Sequence, residues 1–343
     1  MTAADEPAVA VPFAPDEVDL VRLDRAFRDA LRQQQRRIPL HGQQRQTALS
    51  EQQRQTALSE QRRDELPVVG YGEISVAFAW PPEYPSVVAK SLPPFPDARR
   101  YEAYVGVLDD YLDVLAERGV DTVPTAVRAV SEGDRRRAYV LQPRVPTDAI
   151  GSAVLARAGA AEGEALLEGI VARVLRASDE NVGIDGQVSN WTTDGTRMTE
   201  GAGASEGALR YLDVSTPMLR CADGSDRLDT ELFVDAVPWV LRRPVNRFVA
   251  PELLSPYHDP RRVVLDSAGN LLRERLTRWI PSLLRIANPY LDPPLTMDEV
   301  RRFYRGNART WSTLQFLRRV DRRWQTRVRR REYPFLLPAS YRR

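Results

Sequence analysis

The stretch GIDGQVSNWTTDG, residues 183–195, places Asp185 five residues before Asn190 in a glycine-flanked loop. Both side chains end in hard oxygens. A carboxylate can accept a proton from an attacking hydroxyl or orient it. Carboxylate and amide oxygens together suit Mg2+. The spacing can therefore hold a hydroxyl and a metal ion, but it also occurs in many loops by chance. Other residues must join it for chemistry to follow. Asp213 stands in LRYLDVSTP (209–217), which reads as a strand ending at that carboxylate. Lys90 is the only lysine: Lys and Arg total 49, so 48 are Arg. A guanidinium is a wide planar fork and an ammonium a compact point charge. A position that keeps Lys against such a skew is a candidate for a role the fork cannot fill. Its alternative is a surviving surface residue.

The elements that must position these groups can be read in outline. Residues 15–37 form an amphipathic helix with Val18, Leu20, Val21, Leu23, Phe27 and Leu31 as its apolar stripe. QQRQTALSE at 43–51 repeats unchanged at 52–60. Two polar copies make no solenoid, so residues 1–65 read as an N-terminal helical extension with a solvated repeat. From 66 the texture changes to strands. LPVVGYGEISVAFAW (66–80) alternates and carries glycines, and SVVAKSL (86–92) is a short β-rich run. Residues 98–119 read as a helix with Tyr101, Tyr104, Val105, Leu108, Leu112 and Leu115 on one side and Gly119 at its end. VPTAVRAV (123–130) and RRAYVLQPRV (136–145) are strands about the turn SEGD. After 147 the chain reads as mainly helical, with the Asp185 loop, a Gly- and Ser-rich hairpin tip at 194–208 and helices from about 231, 261 and 296.

The order is glycine-bearing strand-turn-strand, strand with Lys90, helix with Glu102, two strands, linker, helices, D-x-x-x-x-N loop, then a strand ending in Asp213. In this order the chain resembles the protein-kinase-like superfamily over roughly 66–330, closest in style to aminoglycoside and other small-molecule phosphotransferases and to a bacterial branch of that superfamily. The resemblance implies an α+β, two-lobed protein-kinase-like fold. Residues 66–145 would be a small antiparallel-sheet N-lobe that binds nucleotide, and 146–343 a mainly helical C-lobe. ATP and Mg2+ would lie between them. Gly70, Tyr71 and Gly72 would cradle phosphates through backbone N–H groups. Lys90 would reach the α- and β-phosphates, with Glu102 holding it and Glu73 as a rival partner. Gln142 and Arg144 would meet adenine through the carbonyl of the first and the N–H of the second, since Pro143 has none. Asp213 and Asn190 would hold Mg2+, and Asp185 would serve the acceptor hydroxyl.

Four departures stand out. The glycine loop is short of its third glycine, with Ser75 nearby. Gly183 occupies the place where a histidine usually precedes the catalytic Asp, so this loop must be held differently. LDVS replaces Asp-Phe-Gly. No Ala-Pro-Glu element follows Asp213, which disfavours a regulated protein kinase. The expected function is phosphoryl transfer to a hydroxyl of a small molecule. The alternatives are AMP transfer on the same fold and a non-catalytic nucleotide-binding scaffold.

Composition excludes several other chemistries. Cys221 is the only cysteine, so an intramolecular disulfide and a thiolate zinc site are out. His41 and His258 are the only histidines, and neither has a nucleophile signature around it. Net charge is +2, which specifies no partner. Residues 301–343 carry fourteen Arg among apolar and aromatic residues at near-helical spacing. A packed amphipathic helix with a solvated Arg face accounts for them better than nucleic-acid binding does. No apolar run reaches a membrane span, and no signal peptide is read at the start. The expected location is cytoplasmic. Nothing in the sequence sets an oligomeric state.

Overall fold

The computed structural model describes residues 13–36, 66–71, 75–193, 209–229, 231, 254–306, 322 and 324. The tandem repeat, Gly72, Glu73, the 194–208 segment, the helix expected from 231 apart from Glu231, and most of the Arg-rich C-terminal region lie outside them. The architecture is mixed α/β. A small antiparallel sheet forms in the N-terminal part, and helices dominate later.

The first helix, α1 (Leu20–Arg36), follows a 3-10 turn at Pro15–Glu17. Its buried positions, Leu20, Leu23, Phe27 and Leu31, recur at steps of three and four, which keeps them on one face. Val21 was expected on that stripe, yet it is 62% exposed, because one residue turns the helix by about 100°. The apolar face packs on one side of the sheet, against Phe78, Trp80, Ala89, Tyr139 and Leu141. A polar clamp reinforces this docking. The buried Asp24 accepts from Tyr139 Oη at 2.8 Å and from Arg28 Nε at 2.6 Å, and Arg137 Nε approaches it at 3.2 Å. Arg128 donates to the Pro15 carbonyl at 2.7 Å. Helix α1 and the sheet thus share one core.

The sheet comprises β1 (Val68–Tyr71), β2 (Val76–Trp80), β3 (Val87–Ser91), β4 (Ala126–Glu132) and β5 (Arg135–Pro143), in the order β1-β2-β3-β5-β4. Alternation along β3 sends Val87 and Ala89 into the core under α1 and Lys90 to the opposite face. Between β3 and β4 runs α2 (Ala98–Glu117), capped by Asp97, whose side chain accepts from Arg100 N at 2.8 Å. It ends at Gly119, whose φ of 69° suits glycine. Tyr104, Leu108, Tyr111 and Leu115 form its buried stripe.

Beyond the sheet come α3 (Gly151–Arg157), α4 (Ala160–Ala177), a two-stranded pair of β6 (Trp191–Thr193) and β7 (Leu209–Tyr211), α5 (Pro260–Arg273) and α6 (Ile280–Ala287). Residues 297–306 form a further helix. Helix α6 was not anticipated as a separate element. Trp279 seats its indole against Gly163 on α4, where an added Cβ would lie 2.0 Å from the ring, and donates to Leu155 O at 2.9 Å. Among the described residues no helix is long and apolar enough to cross a membrane.

Candidate functional site

Lys90 Nζ donates to Asp213 Oδ1 at 2.6 Å across 123 residues of sequence. The two side chains are 21% and 33% exposed, so the pair sits at a solvent-accessible margin. Asp213 does not itself lie in the strand, as the sequence reading expected. β7 ends at Tyr211, and Asp213 follows two residues later.

Its position is nevertheless tightly determined. β7 is bonded along both edges: it pairs with β6 on one side, while Tyr211 N donates to Asp121 O at 2.8 Å and Val123 N to Tyr211 O at 3.0 Å on the other. Leu212 N donates to Asn190 O at 2.8 Å, and Gln142 Nε2 donates to Leu212 O at 2.8 Å. Ser215 Oγ donates to Asp213 Oδ1 at 3.1 Å, and Tyr104 Oη anchors Ser215 O at 2.9 Å. Burial opposes ionisation of Asp213, but the Lys90 ammonium and the Ser215 hydrogen bonds outweigh it and hold the carboxyl below its ordinary range.

The Asp185 loop is braced from several directions. Gly183 N donates to Met218 O at 2.8 Å, and Gly183 O accepts from Tyr111 Oη at 2.8 Å. Ile184 N donates to Tyr257 O at 3.1 Å and Asp185 N to Tyr211 Oη at 3.3 Å. Asp185 Oδ1 accepts from Gln187 N at 3.0 Å, which fixes the carboxylate over its own turn. Gln187 is pinned to α5 in turn: its Nε2 donates to Asp266 Oδ2 at 2.8 Å, and its Oε1 accepts from Arg273 at 2.8 Å. Burial raises the carboxyl of Asp266, against the Gln187 hydrogen bond and the Arg273 charge. Gly186 is forced by closeness, since a Cβ there would lie 2.7 Å from Val263 and 2.9 Å from Ser267 on α5. A Cβ on Gly183 would meet Met218 at 2.9 Å and the His258 ring at 3.1 Å. These contacts are how the loop is held without a side chain at 183.

Tyr111 and Tyr211 feel the charge of both carboxylates. Burial pushes both phenols well up, and the charges of Asp185 and Asp213 push them further. Both remain neutral and hold backbone rather than exchange protons.

Lys90 and Asp213 are therefore in contact, and the loop of Asp185 and Asn190 is bonded to the residues just before Asp213, through Tyr211 Oη and Leu212 N. The side-chain amide of Asn190 makes no hydrogen bond to another described residue. Among the described residues no group of three or more His, Cys, Asp or Glu is placed to hold a metal. Asp213 follows Leu212, whose N–H is bonded to Asn190 O, and the two residues offer one carboxylate and one amide oxygen, the kind of donors that Mg2+ takes beside phosphate oxygens and water.

Two expectations are corrected. Glu102 does not hold Lys90. It lies on the exposed face of α2, about 200° round from Tyr104, and Asp213 takes the ammonium instead. Arg144 N–H is not available to adenine, because it extends the ladder by donating to Ser86 O at 2.8 Å. Gln142, directly opposite Val88, falls by alternation in a bonded pair of the same ladder, and its side chain turns to Thr125 Oγ1 at 3.0 Å and to Leu212. Gly70 lies in β1 beside a bulge and opposite Ala77, where a Cβ would find ordinary contact at 3.9 Å, so packing alone does not demand glycine. Tyr71 ends β1, while its side chain and Gly72 lie outside the described residues.

Sequence reasoning missed Tyr111, Tyr211, Gln187 and the position of His258. The 104, 108, 111, 115 stripe would have marked Tyr111 as inward-facing. The others act through contacts no local pattern announces.

A search of curated proteins found no match to the sequence. Residues 48–322 match DUF6206, a family of unknown function, and the chain belongs to that family.

Proposed function

We propose that the chain is an ATP- and Mg2+-dependent phosphotransferase that acts on a hydroxyl of a small molecule, with a two-lobed protein-kinase-like arrangement of its sheet and helices. The observation that carries this reading is the 2.6 Å contact between Lys90 on the sheet and Asp213 beside the Asp185–Asn190 loop. A lone lysine and a carboxylate from distant stretches of sequence touch, and the loop that carries a second carboxylate and an amide is bonded to the segment leading into Asp213, so in this reading one polyphosphate would bridge them.

In this reading Lys90 leaves Asp213 for the phosphates, where its compact charge reaches between oxygens. Asp213 and Asn190 would hold Mg2+, which when bound neutralises phosphate charge. Asp185, kept in one rotamer by Gln187 N–H, receives or orients the acceptor proton. Tyr111 and Tyr211 keep the loop from shifting as charge moves. The helical face beyond the loop would select the acceptor.

The test is nucleotide affinity with and without Mg2+ for the native chain, Lys90→Arg and Asp213→Ala. Native binding should depend on Mg2+. Lys90→Arg should weaken binding by about 10–100-fold, the worth of a charged hydrogen bond whose geometry the fork cannot match. Asp213→Ala should remove the Mg2+ dependence. Released ADP identifies phosphoryl transfer, while pyrophosphate with an AMP-bearing product identifies the nucleotidyl alternative. Absence of any nucleotide binding would sink the proposal.

A further inference from the structure

We infer that His258 is a positioning residue for the loop that carries Asp185, acting through the 254–258 turn. His258 is 5% exposed, and its Nδ1 lies 3.0 Å from Leu254 O. That carbonyl also accepts from Tyr257 N at 3.0 Å, so one oxygen gathers the turn. Tyr257 then offers its own carbonyl to Ile184 N at 3.1 Å, one residue before Asp185. The ring also packs on Gly183, where an added Cβ would be 3.1 Å from Cε1.

The hydrogen bond assigns the tautomer: Nδ1 carries the proton, and Nε2 presents a lone pair. Nε2 is buried and makes no well-formed hydrogen bond, although the Met218 backbone lies close enough to pull on the ring. A side chain present only to fill space would avoid this, because an unpartnered ring nitrogen costs free energy to bury and an apolar ring does not. The histidine is explained if its Nδ1–H has work that a hydrocarbon cannot do. That work is to fix the turn whose Tyr257 carbonyl holds Ile184.

The consequence for phosphoryl transfer rests on the function proposed above, but the brace itself does not. The deciding experiment is backbone hydrogen exchange of the full chain at neutral pH, with two variants. His258→Phe keeps a ring and loses the donor. His258→Asn loses ring volume and keeps a donor nitrogen at the same number of bonds from the backbone. We expect Phe to speed exchange at 183–185 by roughly five- to thirtyfold while α5 stays protected, and Asn to remain near the native chain. ATP turnover should fall in Phe and recover in Asn, with nucleotide affinity equal in both. Unchanged exchange in Phe, equal acceleration in Phe and Asn, or acceleration that spreads through α5 would each overturn the assignment. If the exchange pattern appears but no form of the protein binds nucleotide, the brace stands and the phosphotransferase reading fails.

Discussion

Asp24 and Asp213 are both carboxylates met by cations from the sheet, but they lie on opposite faces of it. Asp24 is sealed under α1, with its side chain 7% exposed and those of Arg137 and Arg28 at 11% and 23%. Both of its oxygens are used: Tyr139 and Arg137 meet Oδ1, and Arg28 meets Oδ2. Asp213 is 33% exposed; the Lys90 ammonium and the Ser215 hydroxyl both donate to its Oδ1, and the Ser215 backbone bonds the carboxylate as well. The same chemistry is closed to solvent in one place and open to it in the other. A sealed ion cluster met on both oxygens specifies how a helix docks. An open pair can exchange a protein partner for a ligand. Charge pairing alone does not mark a site; a pair that water can reach is free to trade partners.

Substitutions should separate the two faces by kind of effect. On the open side, Asp185→Ala should slow the proposed phosphoryl transfer by roughly 10²–10⁴-fold while nucleotide affinity and melting temperature stay close to native. Steady-state rates beside calorimetric binding would check this, and loss of nucleotide binding would break the contrast. On the sealed side, Asp24→Ala takes the acceptor from the Tyr139 hydroxyl and leaves Arg28 and Arg137 with Glu132 alone, and should cost about 3 kcal/mol in denaturant unfolding. Molecules that remain folded should bind nucleotide normally. A loss below about 1 kcal/mol would mean that the cluster is looser than its burial implies.

Gly183→Ala tests the loop on the open side. Its Cβ would press on Met218 at 2.9 Å and on His258 at 3.1 Å, so about 1–3 kcal/mol of stability should be lost. Tolerance at native stability would show that the 254–258 turn yields freely.

The pH response should sharpen the picture further. Burial, aided by the charge of Arg220, holds His258 below its ordinary 6.5, against the pull of the Leu254 and Met218 backbone and of Asp226. A group depressed in the folded state adds stability above its unfolded value and loses it as pH falls through the folded one. Unfolding free energy should therefore decline below about pH 6.5, by at most about 1.4 kcal/mol per pH unit. His258→Asn should flatten that part of the curve, and an identical slope in the variant would exclude His258 as its source. The smallest effect is expected at Glu102, whose replacement by Ala should change stability by less than about 0.5 kcal/mol and leave nucleotide affinity untouched.

What could be read in advance follows from distance along the chain. Strands β1 to β5 and helix α2 were legible because alternation and 3.6-residue periodicity are local. Lys90 was legible because its residue type is unique here. Asp185, Asn190 and Asp213 could be named, but not seen to converge. Their meeting depends on β7 being held along both edges, by residues 121–123 and by β6. Glu102 was misread because early position in a helix says nothing about azimuth. Arg144 was misread because a ladder that runs one residue past the linker consumes its N–H. The Asp24 clamp was invisible, since Tyr139 lies 115 residues away. His258 looked idle for the same reason.

The peptide of Leu212 is gripped at both ends, by Asn190 through its N–H and by the Gln142 amide through its carbonyl. In terms of motion, this makes Leu212 a pivot between the sheet and the Asp185 loop. Any rocking that changes the gap between Lys90 and Asp185 must either turn about that residue or stretch the Gln142 bond. The two side-chain amide protons of Gln142, one on Thr125 and one on Leu212, are then a built-in gauge. Their resonances should shift and broaden when the sheet moves against the Asp185 loop, before any change registers at the carboxylates themselves.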